Sequence, residues 1–287
     1  MRANETSAAC SACRQVRAIF LLLLAGVVGG VLLAARITGS PVFPAAAGQS
    51  AVQSAGFDHD QEAWTAVLGR YVRNGFVDYA GLERDGQPAL DAYLRTLETV
   101  AGRQSGWSRE QRLAYWINAY NAYTIRLILD NYPLETIRSI GFLPGAAFRQ
   151  RFIPLGPEGA EMTLDDIEHR ILRPEFEDAR IHFAIVCASV SCPSLQSQAY
   201  RAGEIDAQLD AAARQFLADD TKNRLDPSSA TLFLSSIFDW FREDFERDAG
   251  SLEAYVGRFL GESAASTLRN GEFRTRFLDY DWSLNGR

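Results

Sequence analysis

The clearest hydrophobic pattern in the chain is an unbroken apolar run over residues 18–35, preceded by Arg14 and Arg17. Eighteen residues in a helix span roughly 27 Å, which is just enough to cross the hydrocarbon core of a bilayer. The run predicts either a retained membrane anchor or a long cleavable signal, because small residues suited to cleavage follow around residues 45–47. The two arginines ahead of the run favour a cytoplasmic tail over residues 1–17 in both cases.

After that run, the composition divides the chain into a tether and one domain. Residues 36–56 are rich in Ala, Gly, Ser and Pro, which is typical of a flexible linker. From Phe57 onward neither a second linker nor an internal repeat interrupts the pattern, and about 230 residues is an ordinary size for one domain. We expect residues 57–287 to be an exported globular domain in the periplasm or cell envelope. It is either tethered to the inner membrane by residues 18–35 or secreted after cleavage.

Within this domain, apolar residues recur at helical spacing in three places. These segments are REQRLAYWINAYNAYTIRLILDNYP, DDIEHRILR and IFDWFREDFE, the last followed by LEAYVGRFL. A capping box between Ser108 and Gln111 opens the first helix. For the second helix we expect Thr163 as the N-cap and Pro174 as the stop. Four aromatic residues on these periodic stripes and near the C-terminus are predicted to be core: Trp116, Trp240, Phe241 and Trp282.

Strands are fewer. The segments FIPLG and EMTL flank a turn and predict a hairpin, and ARIHFAIVCA is a continuous apolar run typical of a strand buried on both faces. TLFLS and FRTRFLDYDW complete the set. Because helices and strands mix without a regular βαβ alternation, the predicted class is α+β. We expect a single domain with a small mixed or antiparallel sheet packed against several amphipathic helices, preceded by the N-terminal hydrophobic helix.

Composition and charge narrow the function classes. The net charge is −7, and residues 1–51 hold four Arg and one Glu, so the remaining body carries −10. An acidic body argues against a nucleic-acid partner, since phosphate contacts need a basic face. Only three histidines are present, so multi-His metal cages are nearly excluded, and we expect no metal and no cofactor. Cys10 and Cys13 form a lone CxxC without a second pair, which favours an unstructured tail.

Several motifs together resemble those of a known family. They are WINAYNAYTI, LDDIEHRILR, IHFAIVCASVSCPSL, the IFDWFREDF block and the terminal YDWSLN. From about Phe57 to the C-terminus, the chain resembles the domain of unknown function 547 family, found in bacterial exported proteins and in plant and animal proteins. The EH pair and the strand-end cysteine recur in that family, and they correspond here to Glu168, His169 and Cys187. The second cysteine, here Cys192, is often serine in the plant members, and the resemblance implies no assigned activity.

The residues able to do chemistry group around Cys187, at the end of the predicted strand. A cysteine nucleophile needs a base, and the base needs an orienting carboxylate or amide. His169 shares a helix face with Asp165, which could orient its ring, whereas Glu168 lies on the more buried side. His182 lies on an apolar face, which is more typical of a hydrogen-bonded core histidine than of a base. The alternative for Glu168 is a purely structural role in an ion pair with Arg173 or Arg126.

Two further features leave alternatives open. Asn118 and Asn121 lie one turn apart on the long helix, where they either line a site or fix a neighbouring loop, and the second role is favoured. Cys187 and Cys192 are disulfide candidates, because thiols outside the cytoplasm tend to be oxidised. That bond requires the ASVS segment between them to turn back sharply, since five extended residues cover roughly 16 Å.

Two function hypotheses follow. The first is a non-enzymatic module of the cell envelope that binds a protein or glycan partner, with Cys187–Cys192 as a structural staple. The second is a thiol-dependent hydrolase or acyl-transferase acting on an envelope substrate. Its candidate residues are Cys187 as nucleophile, His169 as base and His182 as a further base. Asp165 or Glu168 would orient the base, and the Asn118 amide would either stabilise the oxyanion or orient a neighbouring group. The lack of a complete motif slightly favours the binding module, and a structure without a cleft at Cys187 would favour it further.

Overall fold

Helices account for most of the regular structure in the computed structural model, which describes residues 56–287. The α-helical segments are α1 (Glu62–Tyr71), α2 (Tyr79–Gly81), α3 (Gln87–Thr99), α4 (Arg109–Asp130), α5 (Leu164–Asp166), α6 (Arg173–Phe176), α7 (Ile205–Leu217), α8 (Ile237–Trp240), α9 (Arg242–Ala249), α10 (Leu252–Gly257) and α11 (Glu262–Asn270). The predicted tail, the hydrophobic segment at 18–35 and the tether up to residue 55 lie outside the described residues. Within residues 56–287, none of the helices combines the length and apolar character needed to cross a membrane.

Two small sheets complete the fold. The strands are β1 (Val72–Arg73), β2 (Phe76–Val77), β3 (Arg224–Asp226), β4 (Thr231–Ser235) and β5 (Arg274–Leu278). β1 and β2 pair antiparallel, and the second sheet has the order β3-β4-β5. In that second sheet β3 is antiparallel to β4, whereas β5 is parallel to it. Residues 56–287 therefore have mixed helices with small sheets, an α+β-like arrangement that agrees with the predicted class.

Helix α4 lies at the centre of the hydrophobic core. Its predicted capping box is confirmed: the Ser108 hydroxyl accepts a hydrogen bond from the Gln111 backbone N–H at 3.2 Å, and the Gln111 side chain accepts one from the Ser108 N–H at 2.9 Å. Every residue from Leu113 to Ile125 is buried. A helix that is covered on all sides must be surrounded by other elements, so α4 organises the rest of the domain.

The segment ARIHFAIVCA is not a strand, so this prediction is wrong. Residues Ala179–Phe183 form a 3-10 helix, and a loop follows. The buried backbone of that loop is bonded to a side chain of α4: Asn121 donates to the Ala184 carbonyl at 2.9 Å and accepts from the Val186 N–H at 3.0 Å. A short apolar run indicates burial without specifying the hydrogen-bond partner, which here is an amide rather than a neighbouring strand.

The second predicted helix is longer than expected. Thr163 is its N-cap, as predicted, and exchanges hydrogen bonds with Asp166 in a capping box. After α5 the chain continues through a π-helical turn, Ile167–Leu172, and then α6. Pro174 does not end the helix: it follows the π-helical turn, where the Arg173 N–H bonds the Glu168 carbonyl five residues back, and the helical backbone continues to Phe176. The predicted hairpin is reduced to one antiparallel bridge between Ile153 and Met162.

Candidate functional site

A cavity of about 190 Å³ brings together most of the residues that the sequence indicated. Its lining includes five of the six predicted catalytic candidates and the second cysteine: Asp165, Glu168, His169, His182, Cys187 and Cys192. The sixth candidate, Asn118, does not line it. The remaining wall is largely apolar and aromatic, so the reactive groups occupy a polar part of an otherwise hydrophobic cleft.

The Cys187 thiol lies among three hydrogen-bonding groups. Its sulfur is 2.8 Å from the Ser189 hydroxyl and 3.1 Å from the Tyr280 hydroxyl, and its backbone N–H donates to the Cys192 sulfur at 2.8 Å. Burial raises the pKa of Cys187, but hydrogen bonds from Cys192, Ser189 and Tyr280 outweigh that effect and lower the pKa to about 7. A substantial fraction of the sulfur is therefore thiolate at neutral pH, which is the nucleophilic form.

The turn after Cys187 is held by a distant part of the chain. Ala188 has a φ of 58°, a left-handed conformation that costs a non-glycine residue on the order of 1 kcal/mol or more. The Asn285 N–H donates to the Ala188 carbonyl at 3.0 Å, and the Val190 N–H donates to the Ser283 carbonyl at 2.9 Å. These bonds stabilise the sharp return that brings Cys192 back beside Cys187.

His182 belongs to a buried charge cluster around Asp244. Its Nε2 lies 2.7 Å from Asp244 Oδ2, while Arg173 and Arg247 bind the same carboxylate at 2.6 Å and 3.0 Å. Burial raises the pKa of Asp244, but the hydrogen bonds with His182 and Arg173 outweigh it and hold that pKa well below its usual range. Since the carboxylate is ionised and can only accept, His182 Nε2 carries the ring proton and donates a hydrogen bond to Asp244.

This tautomer leaves the other ring nitrogen of His182 as an acceptor. Nδ1 has no hydrogen-bond partner among the described residues and lies 3.8 Å from Glu168 Oε1. Burial lowers the pKa of His182 despite the opposing effect of Asp244, so the ring is neutral at neutral pH. The face of the ring stacks on Phe241 with 3.9 Å between the centroids, which fixes its orientation.

Glu168 is a buried carboxyl group on the π-helical turn. Burial raises its pKa to about 8, against the opposing charge of Arg173, and Asp165 and Cys187 add to the rise. It forms no ion pair with Arg173, which binds Asp244, nor with Arg126, which binds Asp91 and Asp130. Glu168 is therefore mainly a neutral acid at pH 7, able to donate a proton.

His169, the base expected from the sequence, is poorly placed to accept a proton. It is exposed, and its Nδ1 lies 3.2 Å from Arg173 Nη1. A guanidinium can only donate, so the Nδ1 lone pair is already used. Burial of the ring lowers the pKa of His169, with Asp165 opposing the shift and Arg173 reinforcing it. Asp165 was expected to orient the His169 ring; it lines the cavity, and residues 56–287 show no hydrogen bond between its carboxylate and His169.

The two asparagines of α4 act on loops. Asn118 donates to the Tyr200 carbonyl at 2.7 Å and accepts from the Tyr200 N–H at 3.0 Å, while Asn121 holds the segment before Cys187 as described above. These contacts match the favoured loop-fixing role. They leave Asn118 outside the cavity, without access to an oxyanion.

Sequence reasoning missed Asp244 and Tyr280, and it misplaced Trp240. Trp240 is 49% exposed rather than core, because the expected continuous helix breaks at Phe241 between α8 and α9, which changes the phase of the apolar stripe. The centroid of its ring lies 4.8 Å from that of Tyr280 and 5.7 Å from that of Trp282. The three rings therefore form an aromatic cluster where the cavity meets solvent. Trp116 is buried as predicted, whereas Phe241 and Trp282 are half-buried and line the cavity.

No group of three His, Cys, Asp or Glu side chains in residues 56–287 converges as a metal site requires. The chemistry available in this part of the chain is that of a low-pKa thiol, a neutral acid and a histidine–aspartate pair.

Comparison with known proteins supports the family resemblance. Residues 104–217 match the family described as "Protein of unknown function, DUF547", which confirms the similarity for that part of the chain. The matched segment contains Cys187, Cys192, Glu168, His169 and His182, and it ends before α8. No curated protein and no solved structure matches the chain.

Proposed function

Residues 104–217 match a family of unknown function, and we propose from the geometry that this domain is a thiol-dependent hydrolase or acyl-transferase. The observation that carries the proposal is the composition of one cavity. It contains the Cys187 thiol, whose pKa is about 7, together with the neutral acid Glu168 and His182, which is paired with Asp244. The presence of a cleft at Cys187 is the feature that favours the enzyme over the binding module.

In the proposed reaction the Cys187 thiolate attacks the carbonyl carbon of an acyl donor. The carbonyl electrons move to oxygen and form a tetrahedral intermediate. When this intermediate collapses, the leaving group takes the proton of Glu168 and departs, and an acyl-Cys187 thioester remains. Water or an acceptor nucleophile then attacks the thioester and gives its proton to the Glu168 carboxylate. The Cys187 thiolate is released, and both residues return to their starting states.

Glu168 replaces His169 in this scheme for a physical reason. The Nδ1 lone pair of His169 accepts from Arg173, whereas Glu168 has a pKa near working pH and a cavity-facing carboxyl group. His182 Nδ1 lies 3.8 Å from Glu168 Oε1, beyond hydrogen-bond distance, while its Nε2–H is held by Asp244. His182 is therefore a neighbour of the acid and takes no step in the scheme.

The lining also limits the acyl group. Among the described residues that line the cavity, none is Arg or Lys, so a carboxylate or phosphate on the acyl portion would find no ion-pair partner there. The cavity volume is about 190 Å³, and its wall is largely aromatic. These features fit a short, uncharged, apolar or aromatic acyl group.

An acyl-enzyme experiment tests the proposal. The purified protein is mixed with an activated short-chain aryl ester, and the released phenolate and the intact mass are followed. We expect a burst equal to the enzyme concentration, with one acyl group on Cys187. Cys187→Ser should abolish the burst, and Cys192→Ser should retain its amplitude but reach it more slowly at pH 7, because it loses one group that lowers the pKa of Cys187. A burst that persists in Cys187→Ser, or an unacylated wild-type protein, would contradict the proposal.

A second candidate is the binding module for an envelope protein or glycan. Exposure of Trp240 beside Tyr280 and Trp282 favours it, because clustered aromatic rings provide a stacking surface. This alternative predicts an unreactive Cys187 together with saturable quenching of tryptophan fluorescence by an oligosaccharide or peptide, lost in Trp240→Ala.

The proposed setting is outside the cytoplasm. The apolar run at residues 18–35 and the arginines before it support export, with the membrane as partner through that run. A reporter enzyme that works only after export, fused after residue 52, should be active. Activity restricted to a cytoplasm-dependent reporter at the same position would contradict this topology.

A further inference from the structure

We propose that Cys187 and Cys192 form a reversible redox pair in which a hydroperoxide oxidises Cys187 and Cys192 resolves the product as a disulfide. The inference rests on the proposed function in one respect, since it makes the disulfide the inactive state of the nucleophile. It assigns Cys192 the role of resolving thiol rather than structural staple.

The first support is the position of the two sulfurs. Cys192 Sγ accepts a hydrogen bond from the Cys187 backbone N–H at 2.8 Å, and both residues line the same cavity. The left-handed conformation of Ala188 supplies the sharp return that a bond across five residues needs. The Cys192 N–H donates to the Ser189 carbonyl at 3.1 Å and closes the turn within this loop.

The second support is the difference between the two thiols. Hydrogen bonds from its neighbours outweigh burial and bring the pKa of Cys187 to about 7, whereas burial and the nearby Cys187 raise the pKa of Cys192 well above its usual value. Cys187 is half-buried at the cavity wall and Cys192 is fully buried. An accessible thiolate beside a protected thiol is the arrangement in which oxidation starts at one sulfur and is resolved by the other.

The reaction balances without a further component. The Cys187 thiolate attacks the outer oxygen of the hydroperoxide, the O–O bond breaks, and the alkoxide takes a proton and leaves as an alcohol. Cys187 is then a sulfenic acid, oxidised by two electrons. The Cys192 sulfur attacks that sulfenic sulfur, its proton combines with the departing hydroxide to give water, and a disulfide forms. An external dithiol reduces the Cys187–Cys192 disulfide to two thiols by thiol–disulfide exchange and is itself oxidised to a disulfide.

A direct test uses the full-length protein carrying Cys10→Ser and Cys13→Ser, so that only the pair remains. After stoichiometric hydrogen peroxide, free thiols are alkylated and the protein is digested with trypsin. Both cysteines fall in one tryptic peptide, residues 181–201. We expect this peptide to be unalkylated and two hydrogens lighter than its reduced form, and to be doubly alkylated after treatment with dithiothreitol.

Two variants give the controls. In Cys192→Ser we expect one equivalent of hydrogen peroxide to give a Cys187 sulfenic acid that a dimedone probe captures, and a further equivalent to give sulfinic acid that dithiothreitol cannot reverse. In Cys187→Ser, Cys192 should stay alkylatable after denaturation, because it is not the initial target. Direct oxidation of Cys187 to sulfinic acid at the same rate with and without Cys192, and no disulfide in the wild type, would overturn the inference.

The acylation burst separates this inference from the proposed function. If both hold, excess hydrogen peroxide abolishes the burst and dithiothreitol restores it in the wild type, whereas Cys192→Ser, oxidised on to sulfinic acid, is not restored. A burst that persists in protein shown to carry the disulfide overturns the inhibitory role assigned here. A disulfide that forms in a protein without any burst contradicts the proposed hydrolase while supporting the redox pair.

Discussion

The two parts of the cavity wall differ in what they supply. The segment that matches the family, residues 104–217, provides Cys187, Glu168 and His182, which are the groups able to react or to hold a proton. The C-terminal part provides Asp244, which fixes the tautomer of His182, and Tyr280, which helps to lower the pKa of Cys187. The state of these groups therefore depends in part on partners outside the matched segment. A fragment limited to residues 104–217 would keep Ser189 and Cys192 beside the thiol but would lack Asp244 and Tyr280.

The largest effect from the C-terminal part is expected for Asp244→Asn. This change leaves Arg173 and Arg247 without their shared carboxylate, and removing one partner of a buried ion pair costs about 3 kcal/mol or more of unfolding free energy. Denaturant unfolding measures this loss. The matched change Asp239→Asn removes an exposed ion pair with Arg242 and should cost less than about 1 kcal/mol. Equal losses in the two variants would remove the distinction between these carboxylates.

The next effect belongs to the matched segment and concerns Glu168. Its pKa is raised to about 8 in the folded protein, so its contribution to stability is fully present below the ordinary carboxyl pKa and is lost as the pH rises through 8. One such group gives a slope of at most roughly 1.4 kcal/mol per pH unit. Glu168→Gln should flatten the fall in unfolding free energy between pH 5 and pH 8. An unchanged slope in the variant would show that Glu168 is ionised in the fold.

A smaller effect is expected for Tyr280→Phe. The change removes one of the hydrogen bonds that lower the pKa of Cys187, so thiolate formation should require a higher pH. Iodoacetamide labelling of Cys187 should slow about threefold at pH 7 and approach the wild-type rate at pH 9. Tyr255→Phe is the matched control, because the Tyr255 hydroxyl has no hydrogen-bond partner among the described residues. A profile that does not move in Tyr280→Phe would assign the low pKa to the matched segment alone.

The smallest effect is expected for Trp240→Ala. This ring lines the cavity and is half-exposed, so its loss should weaken substrate binding without altering the thiol. We expect KM to rise about threefold with kcat unchanged, which steady-state ester hydrolysis measures. A fall in kcat with constant KM would instead give Trp240 a role in the chemical step.

The same division explains what the sequence predicts. Ser108 and Thr163 are recognisable as N-caps because their partners lie three residues away, and Glu168 and Cys187 are recognisable because they occur in short motifs. No local pattern connects His182 with Asp244, which is 62 residues away, so the ion pair and the tautomer depend on tertiary packing. The prediction of a strand at ARIHFAIVCA is wrong for the same reason: the backbone of this segment bonds to the side chain of Asn121 on α4, a partner that no local pattern indicates.

The backbone hydrogen bonds from residues 283–285 to the turn after Cys187 have a consequence for the order of folding. Contacts between distant parts of a chain generally form late, because a large loop must close before they can contribute. Tyr280 reaches the Cys187 sulfur across 93 residues, and Asn285 bonds the adjacent Ala188 from still farther along the chain. The part of the pKa lowering that comes from Tyr280 should thus be acquired only in the final stage of folding, after the local contribution of Cys192 and Ser189. A newly made, incompletely folded chain would carry a cysteine of ordinary pKa, which holds less thiolate at pH 7 and so reacts more slowly with acyl donors and peroxide than the assembled site.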